Sequence, residues 1–347
     1  MDSNITAPVT SGAADRYALR AEARAAKARQ VQERGILEAA GLPAAVRRAV
    51  HMTRTEGRTL EGILGSNETD HINFLERGLR AARSVCRLLL GRMPIGTGFL
   101  VAPGLLLTNN HVIPDAEAAA DFIAEFDYEL DSDDRPRAPQ RFRLDPVQAF
   151  RTSTDLDYTL VAIQPSNALT AFGWLPLDPR TDKILEGEPV VVVQHPQGRE
   201  KQLCLFHSEL VDRDGPYIYY TTDTEIGSSG SSAFNRNWQV FGLHHALAAT
   251  ERTAKGAVHA NEGIRVSAMV ADLQAQAPEL AERVLAQVVQ ATGRPRHWYP
   301  FPPCHPRASW SGVAPCSAPI PSPTTPGGPA TTRRSSAPES WQCHCPS

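Results

Sequence analysis

What this chain lacks narrows its class first. Nowhere do about 18 apolar residues run together, the length a membrane-spanning helix requires. The opening MDSNITAPVTSGAADRYALRAEARAAKARQ has no basic stretch followed by an apolar one, so it does not read as an export signal. Cysteine is scarce where a core would need it. Of six, Cys86 and Cys204 lie in the body of the chain and Cys304, Cys316, Cys343 and Cys345 near its end, so packing rather than disulfides is expected to hold the fold. These features point to a cytoplasmic protein, with leaderless export as the other route. Neither sign of charge dominates. With 35 basic and 38 acidic residues the net charge is −3, and no basic stripe offers a nucleic-acid surface. Cys343-His344-Cys345 lacks a partner pair at metal-site spacing, so no metal and no cofactor is expected.

At 347 residues there is room for one large domain with appendages. Residues 13–40 are rich in Ala, Arg and Glu, with Leu19, Val31, Ile36 and Leu37 as a narrow apolar face. This predicts one or two helices ending near Gly41-Leu42-Pro43. A further helix is expected over 43–52, then a loop over 65–70. Phe74, Leu75 and Leu79 stand at helical spacing ahead of a strand near Val85. The middle reads as short strands. GTGFLVAPGLLLTNN is a hairpin with Pro103-Gly104 at its turn, ADFIAEFDYEL and RFRLDPVQAF flank an acidic tip, and DYTLVAI ends the first group. A second group runs from GEPVVVVQHPQG through YIYYTTDTEIG and WQVFGLHHA to NEGIRVSAMV. Many short strands with Gly, Pro and Asp turns are the mark of a β-barrel protein. A helix over 266–291 is expected to pack outside it. Of 28 prolines, 13 fall in the last 55 residues, with few aliphatic side chains, so that segment cannot repay its ordering entropy and is expected to be disordered.

Three motifs carry chemistry. TEIGSSGSSAF (224–234) sets Ser229 in a Gly-Ser-Ser-Gly turn, TNNHVI (108–113) supplies His111 after an apolar strand, and DLDYTLVAI (155–163) supplies Asp157 at the head of another. Each has a plain structural reading alone: a strand-end histidine, a turn cap, a loop hydroxyl. Together, in the order His, Asp, Ser, they suit a nucleophile, its base and an orienting acid. Ser231 stands where a Gly-x-Ser-x-Gly elbow needs glycine, which disfavours an α/β-hydrolase.

On these motifs the chain resembles the trypsin-like (chymotrypsin-fold) serine peptidases, and within them the bacterial branch that includes the glutamyl endopeptidases, over residues 83–276. The resemblance implies a mainly β fold of two six-stranded antiparallel barrels, with an N-terminal helical extension and a C-terminal helix. His111 and Asp157 would come from the first barrel and Ser229 from the second. It implies a serine endopeptidase working through an acyl-enzyme, with the Gly227 and Ser229 N–H groups as its oxyanion hole. It also implies that Thr224 and His244 line a pocket for Glu or Asp before the scissile bond, a partly protonated His244 adding charge attraction. Two departures matter. Ser228 stands where many digestive members carry the aspartate that receives a new N-terminus, so activation by that ion pair is not expected. Ser231-Ser232-Ala233 lacks the family's usual proline.

The expected organisation is an extension over 1–80, a peptidase domain over 81–276, a helix end over 277–292 and a Pro-rich tail over 293–347. The extension reads either as solvated linker helices or as an adaptor for a protein partner. The competing function is a peptidase-fold binding or signalling module with weak catalysis, recruited through those helices. The expected partners are protein or peptide substrates, with neither nucleic acid nor membrane.

Overall fold

The computed structural model describes residues 12–41, 71–253 and 256–292. Three helices come first: α1 (Ala13–Leu19), α2 (Ala21–Arg34) and α3 (Ile36–Ala39). Alanine and long unbranched side chains favour all three. Gly35, at φ 79°, separates α2 from α3. α2 buries no side chain, whereas α1 buries Ala13 and Tyr17.

Helix α4 (Asn73–Arg83) runs almost directly into strand β1 (Val85–Leu90). The expected helix is present, and its inward stripe is Phe74, Gly78 and Ala81, without the Leu75 and Leu79 that share Phe74's helical spacing. Trp238 decides this. Its ring lies 5.0 Å from that of Phe74 and fills the space a side chain at Gly78 would need, leaving Leu75 and Leu79 exposed.

Two antiparallel sheets form the body. The first takes β1, β2 (Met93–Ala102), β3 (Leu105–Thr108), β4 (Phe122–Phe126), β5 (Gln140–Arg143), β6 (Phe150–Ser153) and β7 (Tyr158–Ala162), in the order β5-β4-β1-β2-β3-β7-β6. Between β3 and β4 a one-turn helix, α5 (Ala116–Ala119), is capped by Asp115, whose carboxylate accepts from the Ala118 N–H. The second sheet takes β8 (Val191–Gln194), β9 (Gln202–Cys204), β10 (Leu210–Asp214), β11 (Tyr217–Thr221), β12 (Ser232–Phe234), β13 (Val240–Thr253) and β14 (Gly256–Arg265), in the order β10-β11-β14-β13-β12-β8-β9. The fold is mainly β and chymotrypsin-like, with seven strands in each sheet where six were expected. Pieces as short as β9, three residues long, carry too little alternation to be counted from sequence.

One apolar cluster joins the sheets: Phe99, Leu107 and Leu160 from the first meet Val193, Phe234 and Leu243 from the second. The C-terminal segment is two helices rather than one, α6 (Val266–Gln276) and α7 (Pro278–Thr292). Pro278 has no N–H to continue α6 but suits the first turn of α7. Nor do they merely coat the outside, since Met269, Val270, Leu273 and Val284 belong to the same cluster. Cys86 and Cys204 are free thiols. The helix expected over 43–52, the loop over 65–70 and the Pro-rich tail with its four cysteines lie outside the described residues. No described helix is long and apolar enough to cross a membrane.

Candidate active site

Strand pairing brings His111 to Asp157. Thr108, the last residue of β3, lies opposite Thr159 of β7, so a residue three places beyond one strand meets a residue at the head of the other. The Asp157 carboxylate accepts from the His111 backbone N–H through Oδ1 at 2.9 Å and faces His111 Nδ1 through Oδ2 at 2.6 Å. An ionised carboxylate only accepts, so Nδ1 carries the proton and a neutral His111 presents Nε2 as a base. Asp157 sits at φ 40°, an unusual conformation for a non-glycine residue, and the Asn109 side-chain amide donates to its carbonyl at 2.9 Å. Burial works to raise the Asp157 pKa, but the two histidines bonded to it prevail and hold it below the ordinary aspartate range.

Ser229 sits on the turn leading into β12, between Gly227 at φ 95° and Gly230 at φ 84°. A side chain at Gly227 would lie 2.8 Å from the His195 carbonyl oxygen, so backbone shape and crowding both require glycine there. Thr97 of β2 holds the turn from the other sheet. Its N–H donates to the Ser229 carbonyl at 2.8 Å, and its hydroxyl donates to the Gly227 carbonyl at 2.9 Å while accepting from the His195 N–H at 3.1 Å. Gly96, its neighbour, packs between the Ser229 carbonyl and the methyl groups of Val112, the residue after His111. Among the described residues neither the Gly227 N–H nor the Ser229 N–H has a protein acceptor, and the Ser229 hydroxyl and His111 Nε2 make no hydrogen bond, to each other or elsewhere. Such bonds are often long before substrate arrives.

His244 and His245, on β13, lie beside this turn. The Gly230 N–H donates to the His244 carbonyl, and the His244 N–H to the Ser231 carbonyl. His244 is buried, with Nδ1 2.8 Å from the Tyr220 hydroxyl. Burial above all, with the charges of His245 and His111, pushes its pKa down to about 3, so it is neutral rather than partly protonated. Thr224 is spent on another partner, its hydroxyl donating to the Asn261 side-chain oxygen at 2.7 Å. No hydrogen bond joins Thr224 to His244 among the described residues.

His245 is the participant the sequence hid. Its Nδ1 lies 2.6 Å from Asp157 Oδ2, as close as that of His111, and its Nε2 lies 3.3 Å from Glu262 Oε1. A β-bulge puts it there: His244 pairs with Gly263 and Ala246 with Glu262, leaving His245 as the extra residue, so two consecutive side chains both turn inward. His111, Asp157 and His245 offer ligand atoms within 4.8 Å of one another, the one such trio found among the described residues. At 2.6 Å these are hydrogen-bond separations, so the arrangement is a proton-sharing cluster and not a coordination shell.

Burial is the largest single influence on His245 and lowers its pKa, yet the bonds to Asp157 and Glu262 together outweigh it and push the value up to about 9 from 6.5. A group whose folded pKa is raised stabilises the fold fully below its unfolded value and loses that contribution as pH climbs through its folded one. The midpoint of urea unfolding should therefore fall between pH 6.5 and about 9. A His245→Leu protein should show a flatter profile over the same window. Equal slopes for the two proteins would contradict the assignment.

Residues 96–243 match the model of the trypsin-like peptidase domain. The uncharacterised protein y4fB of Sinorhizobium fredii is 38% identical over 283 residues, a match that covers 67% of this chain and 42% of the relative, so the chain spans less than half the length of that protein. Among solved structures, the inactive form of the Rv3671c protease of M. tuberculosis aligns with TM-score 0.42 and 16% identity over 62% of this chain and all of that one. A Glu endopeptidase structure aligns with TM-score 0.42 and 18% identity over 57% of this chain and 91% of that one. What the chain shares with the trypsin-like peptidases is therefore this one domain, residues 96–243.

Proposed function

We propose that this protein is a serine endopeptidase in which Ser229 is the nucleophile, His111 its general base and Asp157 the acid that orients the base. One observation carries the reading. His111, bonded to Asp157 through Nδ1, is followed by Val112, which shares Gly96 with the carbonyl of a glycine-framed Ser229, and among the described residues the two N–H groups of that turn suited to an oxyanion have no protein acceptor. Ser229 Oγ adds to the scissile carbonyl as His111 Nε2 takes its proton. The carbonyl electrons move onto an oxygen cradled by the Gly227 and Ser229 N–H groups. Collapse expels the amine, which receives the proton from His111, and water then repeats the sequence on the acyl-enzyme. An oxyanion donor of this kind contributes about 3–4 kcal/mol to the barrier reduction.

The catalytic unit is taken as residues 81–276, with 1–80 as an extension whose helix α1 contacts it through Arg16 and Tyr17. The pocket reading extends to Glu or Asp before the scissile bond. With His244 neutral, recognition falls to an N–H donor: if the Tyr220 hydroxyl donates to Nδ1, Nε2 carries the hydrogen and points it at a substrate carboxylate. Thr224 contributes once its hydroxyl turns from Asn261.

A fluorophosphonate probe beside a Ser229→Ala control tests the nucleophile, and a peptide library tests the pocket. Wild-type protein should label and cleave after Glu or Asp, and the variant should do neither. Equal labelling of both proteins would remove Ser229 from its role, and cuts after Lys or Arg would remove Thr224 and His244 from theirs.

A further inference from the structure

Asp157 does not serve His111 alone. Its Oδ2 is shared between two imidazoles at equal distance, His111 from the first sheet and His245 from the second. Both nitrogens of His245 face carboxylate oxygens, which have no hydrogen to give when ionised, so both nitrogens carry one and the ring is an imidazolium. Alone, that cation would neutralise Asp157 and weaken its hold on the charge His111 acquires when it takes the serine proton. Glu262, fully buried on β14, offsets it from the far side. Glu262 in turn would be a costly buried anion without Arg16 of α1, whose Nε and Nη2 donate to its two oxygens at 3.1 and 2.6 Å.

Charge therefore alternates along a line from the first helix to the peptidase site: Arg16, Glu262, His245, Asp157, His111. α1 is seated by other contacts as well. Arg20 donates to both oxygens of Asp212, and Tyr17 lies against Tyr219 with ring centroids 5.4 Å apart.

Resting on the reading of His111, Asp157 and Ser229 as a catalytic triad, we propose that His245 is a positioning residue for Asp157 and that Arg16, acting through Glu262, holds it there, so that seating of α1 sets the turnover rate. The groups facing His245 are Asp157, Glu262 and the ring of His111, with Arg16 and Tyr219 behind Glu262. Loss of Arg16 removes a positive charge from this set, so the site binds a proton more readily.

The test is a double-mutant cycle on kcat, KM and the pH profile, using the full chain. His245→Leu should lower kcat about 100-fold with little change in KM, the lower end of what proton transfer contributes, since His245 acts only through Asp157. Arg16→Met should lower kcat and move the acid limb of kcat/KM to higher pH, and Arg16→Lys should restore part of both. In a His245→Leu background, Arg16→Met should have no further effect on kcat. Arg20→Met loosens α1 without touching Glu262 and should leave the acid limb in place. Additive effects, or identical profiles for the Arg16 and Arg20 variants, would reduce Arg16 to a structural anchor and overturn the proposal.

A readout independent of turnover separates this failure from failure of the triad. Proton NMR of the Ser229→Ala protein should show two strongly downfield N–H signals, one from each histidine on Asp157. His245→Leu should remove one and move the other. A single signal that the substitution leaves unmoved would sink the inference whatever the enzyme cleaves.

Discussion

Asp157→Asn should lower kcat about 10⁴-fold, the size of loss seen when this position is neutralised in comparable triads. An asparagine can present its oxygen to only part of the cluster, and its amide hydrogens must face one of the groups that now donate to the carboxylate. An amide in the place of Oδ2 meets both Nδ1 atoms, so the His111 ring proton moves to Nε2 and the base is lost, while His245 keeps Glu262 as its only carboxylate. An amide in the place of Oδ1 instead opposes the His111 backbone N–H and swings the side chain off the ring. The variant should therefore also be less stable than wild type, and most so near neutral pH, where His245 is charged. Single-turnover kinetics and urea unfolding measure the two effects separately. A kcat within tenfold of wild type would mean that Asp157 does not orient the base.

Gly230→Ala carries the largest expected structural effect, about 4 kcal/mol or more, at the upper end for single substitutions. Gly230 lies at φ 84°, and a side-chain carbon there would collide with the Thr97 carbonyl oxygen and the Thr108 hydroxyl. Thr97 and Thr108 are fully buried and bonded to each other, the Thr108 hydroxyl donating to the Thr97 carbonyl at 2.8 Å, so neither can give way. Gly104→Ala provides the contrast. Its φ of 65° is also left-handed, but the nearest atom to the added carbon is 3.9 Å away, so only the conformational cost of about 1–2 kcal/mol applies. Equal midpoints for the two variants in urea would show that crowding at Gly230 is not what matters.

The legible parts of the sequence were those whose signals are local. The hairpin of β2 and β3 declares itself through two apolar runs around Pro103-Gly104, and the approach of His111 to Asp157 follows once β3 pairs with β7. Less legible was which face of α4 turns inward, because Trp238, far along the chain, chose glycine over leucine as its neighbour. Pro278 is a signal the sequence does carry: a proline twelve residues into a continuing apolar pattern marks a new helix as readily as an interruption. The charged line to Arg16 could not be read at all. Its links join residues 88 and 246 positions apart, and the bulge that turns His245 inward leaves no trace in the alternation of VFGLHHA. A pair of adjacent histidines in a strand was the visible clue, since ordinary alternation would send one of them outward.

Thr97 has a consequence for how a substrate can be admitted. Ser229 and Gly227 sit on the turn into one sheet but are pinned, through both the backbone and the hydroxyl of Thr97, to a strand of the other. Swinging the two sheets apart here would stretch those bonds past useful length and distort the turn that carries Ser229. On the proposed reading this jaw bites without gaping, so the expected substrate is an extended or locally unfolded polypeptide that enters without parting the two sheets.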